Sequence, residues 1–173
     1  HRYVDLECDV AYGDVVVDAG ASEGIFALSV IERASKIYLV ECNKDWIEAL
    51  LLTFAPYREK IEIVPKFISD NSDGVDITTL DEMLGEATAN FIKADIEGAE
   101  VDMLRGGEKT LKRNANIKLS LCTYHNEHDA EELRRFLEER GLKTRFSDHF
   151  MIMHYDPDMR SSWLRHGVIR AVK

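Results

Sequence analysis

A run of valines followed by a glycine-bracketed turn is the feature that most constrains the fold of this chain. Val15–Val17 is a β-branched apolar run that Asp18 ends, and apolar residues recur at helical spacing after Gly24. The run predicts a buried parallel strand, and the later spacing predicts a helix. Strand, tight turn and helix form the first half of a nucleotide-binding βαβ unit.

The turn differs from the dinucleotide fingerprint G-x-G-x-x-G, because its order is D-x-G-x-S-x-G with Ser22 where a middle glycine would stand. A leading acid suits a ligand with positive charge better than a pyrophosphate. S-adenosylmethionine, which carries an amino group and a sulfonium, is such a ligand. We expect Asp18, Gly20, Ser22 and Gly24 to surround its methionine part, and an ordinary strand-to-helix turn is the alternative.

The second predicted strand, Lys36–Cys42, ends in an acid that suits a ribose. Glu41 follows Gly20 by 21 positions, close to the spacing of about 20 expected for a ribose-binding acid. Its carboxylate can accept hydrogen bonds from both ribose hydroxyls; a solvated acid at a strand end is the alternative. Phe67 and Ile68 follow the third strand at the edge where adenine would lie, and they either sandwich adenine or belong to the core.

The segment Phe91–Glu100 places charges in a strand and at its carboxyl end. Lys93 and Asp95 share one face of that strand, and buried charges are costly unless paired. They are therefore either an ion pair or part of a site. We expect Asp95 to contact the cofactor and to act as a base or to orient an acceptor, with Lys93 pairing with it or stabilising negative charge on the acceptor oxygen.

Two further residues are expected at the same edge of the sheet. Glu97 stands at the end of the strand that carries Asp95 and is expected on the acceptor side. His125 follows a fifth strand and is the rival base, because histidine titrates near neutral pH. Asp95, Glu97 and His125 are possible ligands of a divalent ion, but no spacing requires one, and we expect no metal.

Length and charge limit the organisation of the chain and its partners. The 173 residues suffice for one domain, residues 13–173, after an N-terminal segment, residues 1–12, that is a flap or the remnant of a cap. A net charge of -10 disfavours nucleic acid as a partner. No apolar run has the length of a transmembrane helix, and we expect no secretory leader.

The cysteines predict a reducing compartment. Their number is odd and no CxxC pair occurs, which argues against a disulfide framework and a zinc cluster. Cys42 and Cys122 follow apolar residues in predicted strands and are expected to be inert buried thiols. A cytoplasmic location fits these features.

The C-terminal part is expected to close the sheet. The segments 150–154 and 167–172 are predicted to form an antiparallel pair, and Asp156–Asp158 is predicted to be the turn that leaves the first of them.

Four stretches occur in order: VVVDAGASEG, YLVECN, TLDEML followed by FIKADIEGAEVDMLRGG, and KLSLCTYHNEHDAEEL. Together they resemble the FkbM family of S-adenosylmethionine-dependent methyltransferases, from about Gly13 to the C-terminus, and FIKADIEGAEVDMLRGG is the most specific part. The resemblance implies a Rossmann-like class I methyltransferase fold, with a mostly parallel seven-stranded sheet, a reversed final strand and helices on both faces. Ser22 and the short N-terminal part depart from the family pattern.

The resemblance also implies the reaction. The expected donor is S-adenosylmethionine, and the expected acceptor is a hydroxyl oxygen of a small-molecule, saccharide or polyketide-like compound. A non-catalytic cofactor-binding or scaffolding domain on the same fold is the alternative. An NAD-dependent dehydrogenase is disfavoured by the missing G-x-G-x-x-G. No stretch of the sequence specifies an oligomeric state.

Overall fold

The computed structural model describes residues 3–152 and 164–173. Its strands are β1 (Val15–Ala19), β2 (Lys36–Val40), β3 (Ile61–Val64), β4 (Phe67–Ser69), β5 (Ile77–Thr79), β6 (Phe91–Ala94), β7 (Lys118–Cys122), β8 (Lys143–Phe146), β9 (Phe150–Ile152), β10 (Leu164–His166) and β11 (Val168–Val172). Its α-helices are α1 (Ile25–Val30), α2 (Lys44–Thr53), α3 (Leu80–Leu84), α4 (Glu100–Arg105), α5 (Glu108–Arg113) and α6 (Asp129–Glu138).

Within the described residues, seven strands form the central sheet in the order β3-β2-β1-β6-β7-β11-β8. The first five of these strands are parallel, and β11 runs antiparallel to both β7 and β8. The predicted α/β fold, with its mostly parallel seven-stranded sheet and reversed final strand, is confirmed. The strand order changes direction at β1, which lies between β2 and β6, and open α/β sheets bind ligands at the carboxyl ends of strands at such a point.

The core lies on both faces of the sheet because neighbouring strand residues point to opposite sides. Val16 packs in the cluster with Leu50 of α2 and the buried residues of α1. Val17 packs in the other cluster, with Leu104 of α4 and Leu133 of α6. Helices therefore cover both faces, and the loops at the carboxyl ends of the strands lie between the two layers.

The N-terminal segment packs against this core without regular secondary structure in residues 3–12. Cys8 and Val10 are buried, and the Asp9 carboxylate accepts two hydrogen bonds from the Arg33 guanidinium, at 2.8 and 3.1 Å. The Ser120 hydroxyl donates to the carbonyl of Tyr3 at 2.7 Å. The segment thereby brings Tyr3 to the edge of the sheet where β1 and β6 end.

The predicted pairing of the C-terminal strands is wrong. β9 pairs with β10, whereas β11 lies between β7 and β8. β11 is buried over most of its length, so it needs a strand on each side, and the charged strand β8 supplies the outer one. The predicted turn at Asp156–Asp158, like residues 153 and 154, lies outside the described residues.

The structure also bears on the expected burial of two cysteines and on membrane-spanning helices. Cys42 is exposed, contrary to expectation, because β2 ends at Val40 and Cys42 lies in the loop beyond it; Cys122 is buried in β7 as expected. In the part of the chain that the structure describes, no helix has both the length and the apolar character that crossing a bilayer requires.

Candidate active site

The loop after β1 packs directly against the end of β6. Gly20 has a left-handed backbone with φ +70°, and a Cβ added there would overlap the carbonyl oxygen of Asp95. Gly24 has φ +75°, and a Cβ there would lie 2.6 Å from the ring of Phe54, the residue that ends α2. Glycine is thus required at both positions, at the first for loop-to-strand contact and at the second for close helix packing.

Glu41 is held in place by the backbone around it. The Ser22 N–H donates to Oε2 at 2.9 Å, and the Asn43 N–H donates to Oε1 at 2.8 Å. The Glu41 residue is only 8% exposed. Each carboxylate oxygen keeps a second lone pair for another donor. Ser22 has a left-handed backbone conformation, φ +45°, which residues other than glycine adopt rarely.

Two cavities meet at this loop. The first, about 320 Å³, lies beyond β1 and β2 and has Glu41, Trp46, Phe67 and Ile68 among its walls. Phe67 is 60% exposed and Ile68 is buried, so the two residues differ in burial although both line the cavity. The second cavity, about 510 Å³, is lined in part by Tyr3, Glu23, Phe26 and Lys93. Gly20, Ser22 and Asp95 line both cavities.

Asp18 supports the loop from beneath. It is fully buried, and its Oδ1 lies 3.0 Å from Nζ of Lys93. Burial raises the pKa of Asp18, against the charge of Lys93. Asp18 lines neither of the two cavities, and its expected contact with the methionine part of a ligand stays a prediction. Lys93 pairs with Asp18 and not with Asp95, and its Nζ donates to the Gly20 carbonyl at 2.7 Å.

Asp95 lies at the centre of a hydrogen-bonded group. Its carboxylate accepts from the hydroxyls of Tyr3 and Tyr124, both at 2.9 Å, and pairs with Nε2 of His125 at 2.8 Å. Burial would raise the pKa of Asp95, but the hydrogen bonds of His125 and Tyr3, the charge of Lys93 and the hydrogen bond of Tyr124 hold it well below the usual range. An acid held in its ionised form is a weak base, which favours the orienting role over the role of base.

His125 lies among three carboxylates. Its Nε2 pairs with Asp95 and lies 3.7 Å from Oε1 of Glu100, and its Nδ1 lies 3.4 Å from Oε2 of Glu97. Burial alone would lower the pKa of His125, but the hydrogen bond with Asp95 and the charges of Glu100, Asp95 and Glu97 outweigh burial and raise it. The structure therefore brings His125, Asp95 and Glu97 together, as their positions at strand ends predict, although the Glu97 side chain is 93% exposed.

Three residues of this group were not identified from the sequence. Tyr124 directly precedes His125 in the polar run after β7, and this position could have identified it as a site residue. Tyr3 reaches Asp95 across 92 positions, and nothing local indicates that contact. Glu100 begins α4, and its carboxylate folds back, so that Oε1 accepts from the Ile96 N–H at 2.9 Å.

A mostly parallel sheet with a reversed strand, and with an acid-bearing cavity at the ends of β1 and β2, defines the class I methyltransferase fold. Residues 66–143 match the model of the methyltransferase FkbM domain. Over these residues the match confirms the resemblance to the FkbM family that the sequence shows.

Solved structures share the fold at low sequence identity. The methyltransferase FkbM from Methylobacillus flagellatus KT is 20% identical with a TM-score of 0.75, and the match covers 93% of this chain but 44% of that protein. An rRNA methylase from Streptococcus thermophilus is 15% identical, TM-score 0.65, with 95% and 89% covered. SMU.1697c from Streptococcus mutans, crystallised with SAH, is 12% identical, TM-score 0.56, with 95% and 91% covered. A comparison with curated proteins found no match.

Proposed function

We propose that this chain binds S-adenosylmethionine and transfers its methyl group to a hydroxyl oxygen of a small-molecule, saccharide or polyketide-like acceptor. The observation that carries the proposal is the position of Glu41, fixed by the Ser22 and Asn43 N–H groups at the wall of the first cavity. The FkbM domain match over residues 66–143 supports the same reaction class.

The residues of the first cavity fit the adenosine part of this cofactor. The free lone pairs of Glu41 suit the ribose hydroxyls, and Trp46, Phe67 and Ile68 supply apolar walls for a flat ring. Gly20 leaves the backbone open beside them, and Asp95 adds a negative charge that complements a cationic ligand. When bound, the cofactor supplies an activated methyl group, so the protein has mainly to position the acceptor.

The second cavity is the place for the acceptor, because Asp95 lines both cavities. The Tyr124 hydroxyl contacts both oxygens of Asp95, at 2.9 and 3.1 Å, so an acceptor hydroxyl can replace one of these contacts. A hydroxyl must lose its proton when it is methylated. Asp95 orients that hydroxyl, the His125 imidazole takes up its proton, and Glu97 stands at the rim.

The charge of the chain favours a small acceptor over a polynucleotide. The net charge is -10, and Glu23, Glu97 and Asp95 lie around the cavities. Such a surface repels a phosphate backbone. The fold is shared with an rRNA methylase, and a shared fold alone does not assign an acceptor. RNA therefore belongs in the acceptor panel as a contrast.

Thermal unfolding with S-adenosylmethionine, S-adenosylhomocysteine and NAD tests the cofactor. A ligand at about 100 times its dissociation constant stabilises the fold by about 2.7 kcal/mol. We expect stabilisation by the first two ligands and none by NAD. Stabilisation by NAD alone would point to a dehydrogenase, and no shift with any ligand would refute the cofactor assignment.

Transfer of labelled methyl from S-adenosylmethionine then tests the reaction. The acceptors are sugars, hydroxylated small molecules, amines and RNA, and we expect transfer to a hydroxyl compound. With a proven acceptor, Asp95→Ala should reduce turnover while S-adenosylhomocysteine binding is largely kept. Cofactor binding without transfer to any acceptor would favour a scaffolding domain, and transfer to RNA alone would overturn the acceptor class.

A further inference from the structure

Three potential metal ligands converge at the carboxyl end of the sheet. Asp95 follows β6, Glu100 begins α4, and His125 follows β7. Nε2 of His125 lies 2.8 Å from Oδ1 of Asp95 and 3.7 Å from Oε1 of Glu100, and one ligand atom from each residue lies within 4.8 Å of the others. Two ligands about 2.1 Å from one ion lie roughly 3.0 to 3.4 Å apart in octahedral or tetrahedral geometry, so small shifts bring this group to coordination distances.

The Glu100 carboxylate provides an independent indication of a missing partner. Glu100 is 1% exposed. Its Oε1 accepts from the Ile96 N–H, but its Oε2 is buried and has no hydrogen-bond partner among the residues that the structure describes. A buried carboxylate oxygen without a donor is costly. A cation bound by both oxygens of the Glu100 carboxylate would give Oε2 a partner.

The surroundings also fit coordination. A histidine that binds a metal usually donates its other ring N–H to a carboxylate, and Nδ1 of His125 faces Glu97 at 3.4 Å. Carboxylate ligands are usually hydrogen-bonded in turn, and Asp95 accepts from the hydroxyls of Tyr3 and Tyr124.

We propose that Asp95, Glu100 and His125 bind one divalent transition-metal ion, of the class of Mn²⁺ and Zn²⁺. The imidazole nitrogen favours a first-row transition metal over Mg²⁺ and Ca²⁺, which prefer oxygen ligands alone. No spacing in the sequence requires a metal, because Glu100 enters the group only through the backward turn of its side chain. The proposal therefore differs from the expectation of no metal that was drawn from the sequence.

The ion would lie beside Asp95, which lines both cavities. A cation at that point would lower the pKa of a hydroxyl bound next to it, so that the proton could pass to solvent water while the His125 imidazole serves as a ligand. That consequence rests on the proposed function, whereas the binding of the ion does not. Metal binding is therefore measured without cofactor or acceptor.

The experiment titrates chelator-treated protein with Mn²⁺ and follows the free ion by electron paramagnetic resonance. We expect one Mn²⁺ per chain, displacement by Zn²⁺, and much weaker competition by Mg²⁺. Glu100→Gln and His125→Asn should each weaken Mn²⁺ binding at least ~100-fold, the upper end of the loss seen for outer-shell partners. Asp102→Asn removes an exposed acid from the same helix and should bind Mn²⁺ like the parent.

Three outcomes would overturn the proposal: no stoichiometric binding of Mn²⁺ or Zn²⁺ by the parent, equal binding by Glu100→Gln and Asp102→Asn, or equal binding of Mg²⁺ and Mn²⁺. Circular dichroism of each metal-free variant shows whether it folds. If Glu100→Gln does not fold, His125→Asn decides by the same comparison with Asp102→Asn. Absence of metal binding by the parent protein, with S-adenosylhomocysteine binding present, would refute the ion and leave the proposed function standing.

Discussion

The Lys93 ammonium lies 3.0 Å from the Asp18 carboxylate beneath the loop that follows β1, and the two side chains are only 5% and 0% exposed. The same ammonium donates to the carbonyl of Gly20 at 2.7 Å. The ion pair thus joins two adjacent strands and the loop that separates the two cavities. Its role is to fix the loop, which contacts both cavities through Gly20 and Ser22.

Removal of one partner of this pair should destabilise the protein strongly. Lys93→Met leaves the Asp18 carboxylate buried without its counter-charge, and such changes cost about 3–5 kcal/mol. The double variant with Asp18→Asn should lose less than the sum of the single losses, because the two groups interact directly. Urea unfolding measures all three variants.

The matched control for that cycle is an ion pair on the surface. Arg105 and Asp102 lie 2.7 Å apart with about half of each side chain exposed. Arg105→Met should therefore cost less than about 1 kcal/mol. Strict additivity of Lys93→Met and Asp18→Asn would show that the buried pair does not act as a unit.

The pairing of Lys93 shows where inference from the sequence ends. The sequence places both charges in apolar strands, and Asp95, two residues away on the same face, is the nearest candidate partner. The actual partner depends on which strands are adjacent: parallel pairing of β1 with β6 sets Asp18 opposite Lys93. Strand adjacency is a property of the whole sheet, so the local pattern did not contain it.

Features encoded within one loop were predictable. The glycine loop and the end of β2 can each be recognised from residue spacing within a short stretch. Asp95 and His125 are placed together by the rule that parallel strands end at one edge of the sheet. Contacts such as Tyr3 to Asp95 depend on how an irregular segment crosses the sheet. The contact of Glu100 with the Ile96 N–H depends on the rotamer of one side chain. The position of β11 in the sheet depends on its outer neighbour β8, a charged strand without an apolar pattern.

Replacement of Ser22 by glycine should leave the site intact and relieve strain. Ser22 has φ +45°, and a left-handed backbone costs an L-residue roughly 1–2 kcal/mol. Glycine removes that cost but adds about 0.4–1 kcal/mol of chain entropy in the unfolded state. Ser22→Gly should therefore be stabilised by about 0–1.5 kcal/mol in urea unfolding.

Binding provides the second measurement on Ser22. The Glu41 contact comes from the Ser22 backbone N–H, which glycine retains, so S-adenosylhomocysteine should bind to Ser22→Gly as to the parent. Ser22→Val is the contrasting variant, because a β-branched residue is poorly tolerated at positive φ, and it should lose stability. A Ser22→Gly variant less stable than Ser22→Val would contradict the left-handed assignment.

The Asp9–Arg33 pair should make the N-terminal segment sensitive to acid. The hydrogen bonds from Arg33 lower the pKa of Asp9 below its usual 3.8. The pair therefore adds stability above about pH 3.8, and this stability is lost as pH falls through the folded-state pKa. The Asp9 side chain is 40% exposed, so the effect is at most about 1 kcal/mol.

The measurement compares Asp9→Asn with the parent by urea unfolding at pH 7 and pH 3. The variant should be less stable at pH 7, and the difference should shrink at pH 3. Asp73→Asn tests the same relation at another turn, because backbone N–H groups of that turn lower the pKa of Asp73, and its difference from the parent should likewise shrink at pH 3. If the difference between Asp9→Asn and the parent grew on acidification, the pKa of Asp9 would have to be raised by folding, contrary to its contact with Arg33.

Glu41→Gln should reduce the free energy of cofactor binding more than it reduces the free energy of unfolding. The amide keeps the size of the side chain, but it has one oxygen for the N–H groups of Ser22 and Asn43, and it loses the charge that strengthens hydrogen bonds to ribose. Hydrogen bonds to charged groups contribute about 1.5–3 kcal/mol, so the dissociation constant of S-adenosylhomocysteine should rise roughly 10- to 150-fold by calorimetry. Glu62→Gln changes an acid on β3 that pairs with Lys36 and lines neither cavity, and its affinity should match the parent. Equal affinities for Glu41→Gln and Glu62→Gln would remove Glu41 from the cofactor site, and a ribose would then have to bind elsewhere along the first cavity.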